Sequence, residues 1–344
     1  MKKILFIIIL LFNINVLAST STIVMDTNTG KVLYEENAHE KKLIASTTKI
    51  MTFVVAYEYA KDFLDVSIEA GPEILKMYGT SIYLSYREKM LLRDLLYGLM
   101  LRSGNDAAVV IANFVGGNEE GFVKLMNKKA KALGMNNTIF SNPHGLDENS
   151  QNYSTAYDMA LLSKYASKIP FYRKVTGTKY YKVKTENKAY SWTNRNKMIF
   201  MYPYFQTGKT GYTPSAGRTF VSTAKKDKLE LTVVTLNESN HYEKHRELYE
   251  KYFSIYQNYL LVSMDNFNKN NDYYLKNDIY YPLKSDEEKN IRIVLEINKN
   301  NKEIVVYLND KELIREMIYV KEKVQENNEK NIWDKIKSFF KEIF

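Results

Sequence analysis

Two side chains near the start of the chain have the types and spacing that acyl transfer requires. Ser46 and Lys49 form a Ser-x-x-Lys tetrad where an amphipathic pattern predicts the start of a helix. Backbone N–H groups surround a serine at a helix start, and a lysine three residues later lies on the same face. A partly buried lysine near a second cation loses its proton more readily and can act as a base. An N-cap serine beside a solvated lysine is the alternative interpretation. The tetrad also occurs at Ser222/Lys225 and Ser338/Lys341.

Two further motifs supply groups that could complete such a site. Ser103 and Asn105 flank a glycine after an apolar helical run, so a hydroxyl and a carboxamide can project side by side. Lys209, Thr210 and Gly211 precede a predicted hairpin. A cation, a hydroxyl and a position without a side chain at a strand edge suit an extended peptide that ends in a carboxylate. Taken alone, each motif also fits an ordinary loop or surface strand.

The order of the three motifs is a known signature. Ser-x-x-Lys, Ser-x-Asn and Lys-Thr-Gly occur in that order in β-lactamases and penicillin-binding proteins. The chain resembles the D-Ala-D-Ala carboxypeptidase branch of that superfamily over nearly its whole length, in the strings at 45–51, 103–108, 142–147, 153–159 and 208–213. It departs from the family pattern at Ile44, where the family often has proline, and at 204–207, where a Gly-Asp-Gly-Leu-like run is common.

The resemblance implies a mechanism and a set of partners. Ser46 would attack the carbonyl between two terminal D-Ala residues, with Lys49 as base. The identity of the acylation base is disputed across the superfamily. Ser103 would pass a proton to the departing D-Ala, and the N–H groups of Ser46 and Tyr212 would form the oxyanion hole. The implied substrate-binding residues are Asn105, Lys209, Thr210, Gly211 and Tyr212. The implied partners are peptidoglycan stem peptides and β-lactam antibiotics, and no cofactor is implied.

Two other functions share this signature. A serine β-lactamase needs fast deacylation, which class A enzymes obtain from a glutamate that activates water, and the sequence offers no convincing counterpart of that loop. A sensor that is acylated by β-lactams without turnover would keep the nucleophile but release no D-Ala. The fate of bound penicillin and the release of D-Ala distinguish these alternatives from a carboxypeptidase.

The periodicity between residues 19 and 258 predicts the elements that hold the motifs. Strands at 23–25 and 31–34 form an opening hairpin, and 219–223 and 229–236 form a second one. Helical patterns lie between and after them, at 46–57, 91–101, 106–114, 119–133, 156–166 and 243–259. The pattern therefore predicts an α+β catalytic domain: an antiparallel sheet flanked by helices with a helical subdomain, β-lactamase/transpeptidase-like.

The segments outside this domain have different sequence patterns. Short alternating strands at 272–281, 291–297, 304–308 and 313–320 predict a small all-β domain, a β-sandwich, over 259–323. Residues 1–18 combine Lys2 and Lys3, an apolar run and a final alanine, as in a cleaved signal peptide, so we expect export. An uncleaved anchor or a buried first strand is the alternative interpretation. Residues 324–344 read as a linker and an amphipathic helix that is too short to cross a bilayer. We expect it to anchor the protein on the outer face of the cytoplasmic membrane, a helix docked on the protein being the alternative.

Composition excludes several other functions. The absence of cysteine excludes thiol catalysis and cysteine-ligated zinc. The net charge of +9 favours anionic neighbours, but no concentrated basic block exists, so we predict no nucleic-acid partner. His241 and His245 have the i, i+4 spacing of a zinc helix without a third ligand, and we interpret them as an exposed helix start rather than a metal site. His144, in an Asn-Pro-His-Gly turn, is predicted to be structural.

Overall fold

The computed structural model describes residues 19–298 and 301–321, which form two compact units, one ending at Ile255 and the other beginning at Tyr256. The predicted signal peptide, 1–18, and the predicted anchor, 324–344, lie outside the described residues. Within 19–298 and 301–321, no helix is both long and apolar enough to cross a membrane.

The first unit alternates strands and helices along the chain. Its first half comprises β1 (Ser21–Asp26), β2 (Val32–Glu36), β3 (Lys42–Leu43), α1 (Lys49–Ala60), β4 (Ser67–Glu69), β5 (Lys89–Leu91), α2 (Leu92–Tyr97), α3 (Asn105–Gly116) and α4 (Glu119–Ala132). Its second half comprises β6 (Tyr153–Ser154), α5 (Ala156–Ala166), α6 (Pro170–Thr176), β7 (Tyr180–Lys184), β8 (Ala189–Thr193), α7 (Met198–Met201), β9 (Phe205–Thr213), β10 (Gly217–Lys226), β11 (Leu229–Leu236) and α8 (His241–Ile255).

A five-stranded antiparallel sheet in the order β2-β1-β11-β10-β9 supports the unit, with β9 at one edge. Side chains on one face, such as Val221 and Val234, belong to the main hydrophobic core with the helices α1, α3 and α5. Ser222 and Thr235, on the opposite face, contact α8. Because both faces are covered, all eight residues of β11 are buried rather than alternating between buried and exposed.

Helix α1 runs through the middle of the core. Ile50, Phe53 and Val54 are fully buried, as their helical spacing predicts. Lys49, the first residue of α1, is also fully buried, although lysine is almost never buried without a partner. The core of the first unit therefore surrounds an ionisable side chain at the start of its central helix.

The second unit is built almost entirely of short strands. It comprises β12 (Gln257–Val262), α9 (Met264–Asn270), β13 (Tyr273–Tyr274), β14 (Ile279–Leu283), β15 (Ile291–Ile297), β16 (Lys302–Leu308), β17 (Lys311–Met317) and β18 (Tyr319–Val320). The strands pair as β12-β14, β13-β18 and β15-β16-β17. A separate small core includes Leu275, Ile304 and Val306.

The predicted fold class is confirmed, whereas the last predicted helix of the first unit is too long. The antiparallel sheet, its helices and the small C-terminal β region are all present, with one short helix, α9, among the β strands. The helix predicted over 243–259 ends at Ile255, and 257–262 form β12, which pairs with β14. Gln257 and Tyr259, at the end of the predicted helix, instead pair with Leu283 and Tyr281 of β14, and this pairing satisfies backbone groups that the helix would have used.

Candidate active site

A tight turn holds the candidate nucleophile. Ala45–Thr48 form a 3-10 turn, and α1 begins only at Lys49, so Ser46 lies one turn before the helix. Ala45 has a positive φ of 45°, an unfavourable conformation for a residue with a side chain. Gly145, with φ of 88°, packs so closely on this turn that a Cβ there would lie 2.0 Å from the Ala45 carbonyl oxygen. Only glycine fits at that position.

Lys49 Nζ contacts three oxygen atoms. It lies 3.1 Å from Ser46 Oγ, 2.7 Å from Asn105 Oδ1 and 2.5 Å from the His144 carbonyl oxygen. Burial lowers the pKa of Lys49 well below its ordinary value, the nearby charge of Lys209 lowers it further, and Asp106 opposes this. Burial therefore favours the neutral amine of Lys49 beside the serine hydroxyl.

Ser103 and Asn105 enter the site where two helices meet. Arg102 ends a π-helical segment that begins at Gly98, and Ser103 follows it in the left-handed conformation, with φ of 62°. The Ser103 hydroxyl is buried and has no hydrogen-bond partner among the described residues. A buried hydroxyl without a partner is energetically costly and typical of functional sites. The Asn105 side chain is fixed from its other end, where Nδ2 donates to the Tyr78 carbonyl at 2.7 Å.

A neighbouring carboxylate anchors the loop that carries this motif. Asp106 accepts hydrogen bonds from the N–H groups of Ile82 and Leu84, both at 3.0 Å, and from the Ser81 hydroxyl at 2.5 Å. The Thr80 hydroxyl donates to the Ser103 carbonyl at 2.6 Å. Segment 78–84 therefore fixes the backbone of the second motif from one side.

The third motif lies on the edge strand β9. Lys209 is almost fully buried, and burial with the nearby Arg195 lowers its pKa to about 7. A Cβ at Gly211 would lie 2.8 Å from the Ser46 backbone nitrogen, so the edge of β9 passes directly beside the serine. Tyr212 is 61% exposed at the following position, and Thr210 lies between the lysine and the glycine. The motif occupies the middle of β9.

All three predicted motifs therefore come together, and the structure adds groups that the sequence did not identify. The carbonyls of His144 and Tyr78 hold Lys49 and Asn105. The Asn142 side chain shapes the His144 turn by accepting from the N–H of Gly145 at 2.6 Å. Asn152 connects this turn to α1 by donating to the Thr48 hydroxyl at 2.9 Å. The strings at 142–147 and 153–159 pointed to this region without indicating which atoms act.

The interpretation of His241 and His245 as an exposed helix start is wrong with respect to exposure. The helix begins at His241, but both side chains are buried. His245 Nδ1 lies 2.7 Å from the Ser222 hydroxyl and Nε2 lies 3.0 Å from the Thr235 hydroxyl, so both ring nitrogens are occupied. Within 19–298 and 301–321, no cluster of three or more potential metal ligands occurs.

The chain is similar to known proteins in sequence and in fold. The sequence pattern of the peptidase S11 family, described as D-alanyl-D-alanine carboxypeptidase, matches residues 13–240. The chain belongs to this family. D-alanyl-D-alanine carboxypeptidase DacF of Bacillus subtilis is 38% identical over 233 residues, which cover 66% of this chain and 59% of that protein. The chain thus spans about six tenths of that relative.

Solved structures extend the similarity to the second unit. D-alanyl-D-alanine carboxypeptidase DacD from Francisella tularensis has a TM-score of 0.69 and 26% identity, covering 93% of this chain and 96% of that one. Penicillin binding protein 6B from Escherichia coli has a TM-score of 0.71 and 25% identity, covering 88% and 94%. Both matches therefore extend beyond the first unit.

Proposed function

We propose that this protein is a serine D-Ala-D-Ala carboxypeptidase that removes the terminal D-alanine of peptidoglycan stem peptides through an acyl-enzyme on Ser46. The observation that carries the proposal is the fully buried Lys49, whose Nζ lies 3.1 Å from Ser46 Oγ. The matched family and the names of its relatives support the same substrate class.

The contacts of Lys49 suit a base. A neutral amine has two N–H donors and one lone pair. The His144 carbonyl and Asn105 Oδ1 can accept the two donors, and the lone pair is then free to accept the hydroxyl proton of Ser46. The Ser46 oxygen forms a bond to the substrate carbonyl carbon while its proton moves to Lys49. The backbone N–H groups of Ser46 and Tyr212 stabilise the developing oxyanion.

The edge of β9 orients the substrate. An extended peptide can add to the outer edge of β9, which no strand of residues 19–298 or 301–321 pairs with, as in other strand-addition complexes. Lys209 attracts its terminal carboxylate, with Thr210 beside it, and Asn105 orients the peptide group. The Ser103 hydroxyl, which has no partner among the described residues, is available to relay the proton from Lys49 to the nitrogen of the departing D-Ala as the peptide bond breaks. Water then hydrolyses the ester, and β-lactams acylate the same serine.

The test is release of the terminal alanine from an N-acyl peptide ending in D-Ala-D-Ala, with the same peptide ending in D-Ala-L-Ala, which would release L-Ala, as control. Release from the first peptide alone, with a slowly released penicillin adduct on Ser46, is the expected result. Rapid turnover of penicillin without D-Ala release would instead indicate a β-lactamase. A stable adduct without any D-Ala release would indicate a sensor.

We further propose that the protein is exported and that residues 324–344 anchor it to the membrane surface. The apolar and charged residues of this segment fall on opposite sides of a helical pattern. Truncation after Glu329 should release the protein from membranes and leave D-Ala release in solution unchanged. Membrane association that persists in the truncated protein would contradict the anchor.

A further inference from the structure

The side chain of His144 is buried beside the candidate base, yet the proposed reaction uses only the backbone carbonyl of this residue. The ring contacts two other segments. Its Nδ1 accepts a hydrogen bond from the Leu146 N–H at 3.1 Å. Its Nε2 lies 3.7 Å from Oε1 of Glu119, in the first turn of α4. The ring therefore connects the turn that carries the carbonyl to the start of a helix.

These two contacts define the protonation state of the ring. A backbone N–H that donates to Nδ1 requires a lone pair there, so the neutral ring carries its proton on Nε2, towards Glu119. Burial lowers the pKa of His144 below its ordinary value, Glu119 of α4 opposes this, and Lys49 of α1 adds to it. The ring is therefore neutral at pH 7 and keeps the lone pair that Leu146 needs.

Gly145 makes the direction of the His144 carbonyl depend on its neighbours. This glycine has φ of 88° and no side chain, so few steric restraints oppose rotation of the two peptide groups that flank it. The peptide group before it carries the His144 carbonyl and donates its N–H to Asn142 Oδ1 at 2.6 Å. The peptide group after it donates the Leu146 N–H to the His144 ring. Asn142 and the ring thus hold the two sides of the glycine.

The carbonyl that is fixed in this way contacts the base. It lies 2.5 Å from Lys49 Nζ, and Asn105 Oδ1 is the second acceptor of the amine. If the carbonyl turned away, one buried N–H of the amine would lose its acceptor, which is costly. The lone pair of the amine would then no longer be directed at Ser46 Oγ.

We propose that His144 is a positioning residue for the base: its ring holds the turn 144–146 so that the His144 carbonyl meets Lys49 Nζ. His144 acts through Lys49 and not on the substrate. This inference rests on the proposed function, because it requires Lys49 to be the base that activates Ser46.

The test uses three substitutions that separate the two ring nitrogens. His144→Asn keeps an acceptor on the same side-chain carbon that carries Nδ1, so it can still accept the Leu146 N–H. His144→Gln fills similar space but moves its polar atoms one carbon further out, and His144→Ala has no polar atom. His39→Ala is the matched control, because the His39 side chain is 58% exposed. For each variant, kcat and KM for D-Ala release and the urea unfolding midpoint are measured.

We expect His144→Ala and His144→Gln to lower kcat by about 10- to 100-fold with little change in KM, because a small displacement of a reacting group is enough for such a loss. His144→Asn should recover kcat to within about threefold of wild type, and His39→Ala should keep the wild-type kcat. A purely structural histidine would lower the unfolding midpoint without separating Asn from Gln in kcat.

Two results would overturn the positioning role. One is a wild-type kcat in folded His144→Ala or His144→Gln, and the other is a loss in His144→Asn as large as that in His144→Gln. The comparison of Asn with Gln decides the question even if the alanine variant does not fold. Absence of D-Ala release from the wild-type protein would overturn the proposed function instead.

Discussion

Two Ser-x-x-Lys tetrads of the first unit have the same sequence pattern and opposite surroundings. Ser46 and Lys49 lie on a 3-10 turn that leads into α1, and their side-chain heavy atoms approach to 3.1 Å. Ser222 and Lys225 lie on β10, where the serine is fully buried and the lysine is exposed. Residues three apart share a face of a helix but point to opposite faces of a strand. Only the first tetrad can therefore place an amine beside a hydroxyl.

The polar groups around the two serines also differ in how completely they are hydrogen-bonded. The Ser222 hydroxyl is held between His245 Nδ1 at 2.7 Å and the Tyr249 hydroxyl at 2.8 Å, in a cluster that fixes α8 on the sheet. Around Ser46, burial lowers the pKa of Lys49, and the Ser103 hydroxyl has no partner among the described residues. A satisfied polar cluster adds rigidity, whereas an incompletely satisfied one retains groups for a ligand.

The largest expected difference is between Ser46 and Ser222, in the effect of their substitution on D-Ala release. Ser46→Ala should reduce D-Ala release by at least about four orders of magnitude, because it removes the nucleophile. Ser222→Ala should retain the rate but lower the free energy of unfolding by about 1–3 kcal/mol, because His245 and Tyr249 lose a buried partner. Release assays and urea unfolding of both variants measure this. Loss of D-Ala release in a well-folded Ser222→Ala protein would contradict a purely structural role for Ser222.

The second-largest expected difference is between Lys49 and Lys225, in the effect of their substitution on acylation. Lys49→Arg keeps a positive charge that cannot be lost near neutral pH, so acylation by penicillin should slow by about 10²- to 10⁴-fold. The matched control Lys225→Arg changes an exposed side chain and should acylate at the wild-type rate. Stopped-flow labelling with a fluorescent penicillin measures both rates. Near-wild-type acylation of Lys49→Arg would exclude this lysine as the base.

The smallest effect concerns stability at acidic pH. Burial holds the pKa of His245 well below its ordinary value, with His241 adding to the effect, so the folded protein keeps this ring neutral while the unfolded chain protonates it below about 6.5. Its contribution to the free energy of unfolding is present above that pH and is lost as the pH falls further. Urea midpoints between pH 7.5 and 5 should fall more steeply in wild type than in His245→Asn. Parallel pH profiles would show that His245 does not set this slope.

Sequence patterns predicted the helices, the hairpins and the motif residues better than they predicted the burial and tertiary contacts of individual side chains. The bounds of α5 match the predicted 156–166, and the Thr155 side chain caps its start by accepting from the Asp158 N–H. Periodicity could not reveal that His245 is buried, since its partners, Ser222 and Thr235, lie on strands earlier in the chain. It also could not identify the His144 carbonyl, because every residue has one and only the fold selects which is used.

The contacts of Lys49 have a consequence for folding. The serine and lysine are neighbours in sequence, but the groups that surround the amine come from positions 56 and 95 residues further along the chain, and from Lys209 beyond them. In an unfolded or partly folded chain this lysine is solvated and protonated at neutral pH, as an ordinary lysine is. The hydroxyl beside it is then no more reactive than any other serine. Nucleophilic reactivity therefore emerges only when long-range contacts have closed around α1, and it reports on completion of the native state.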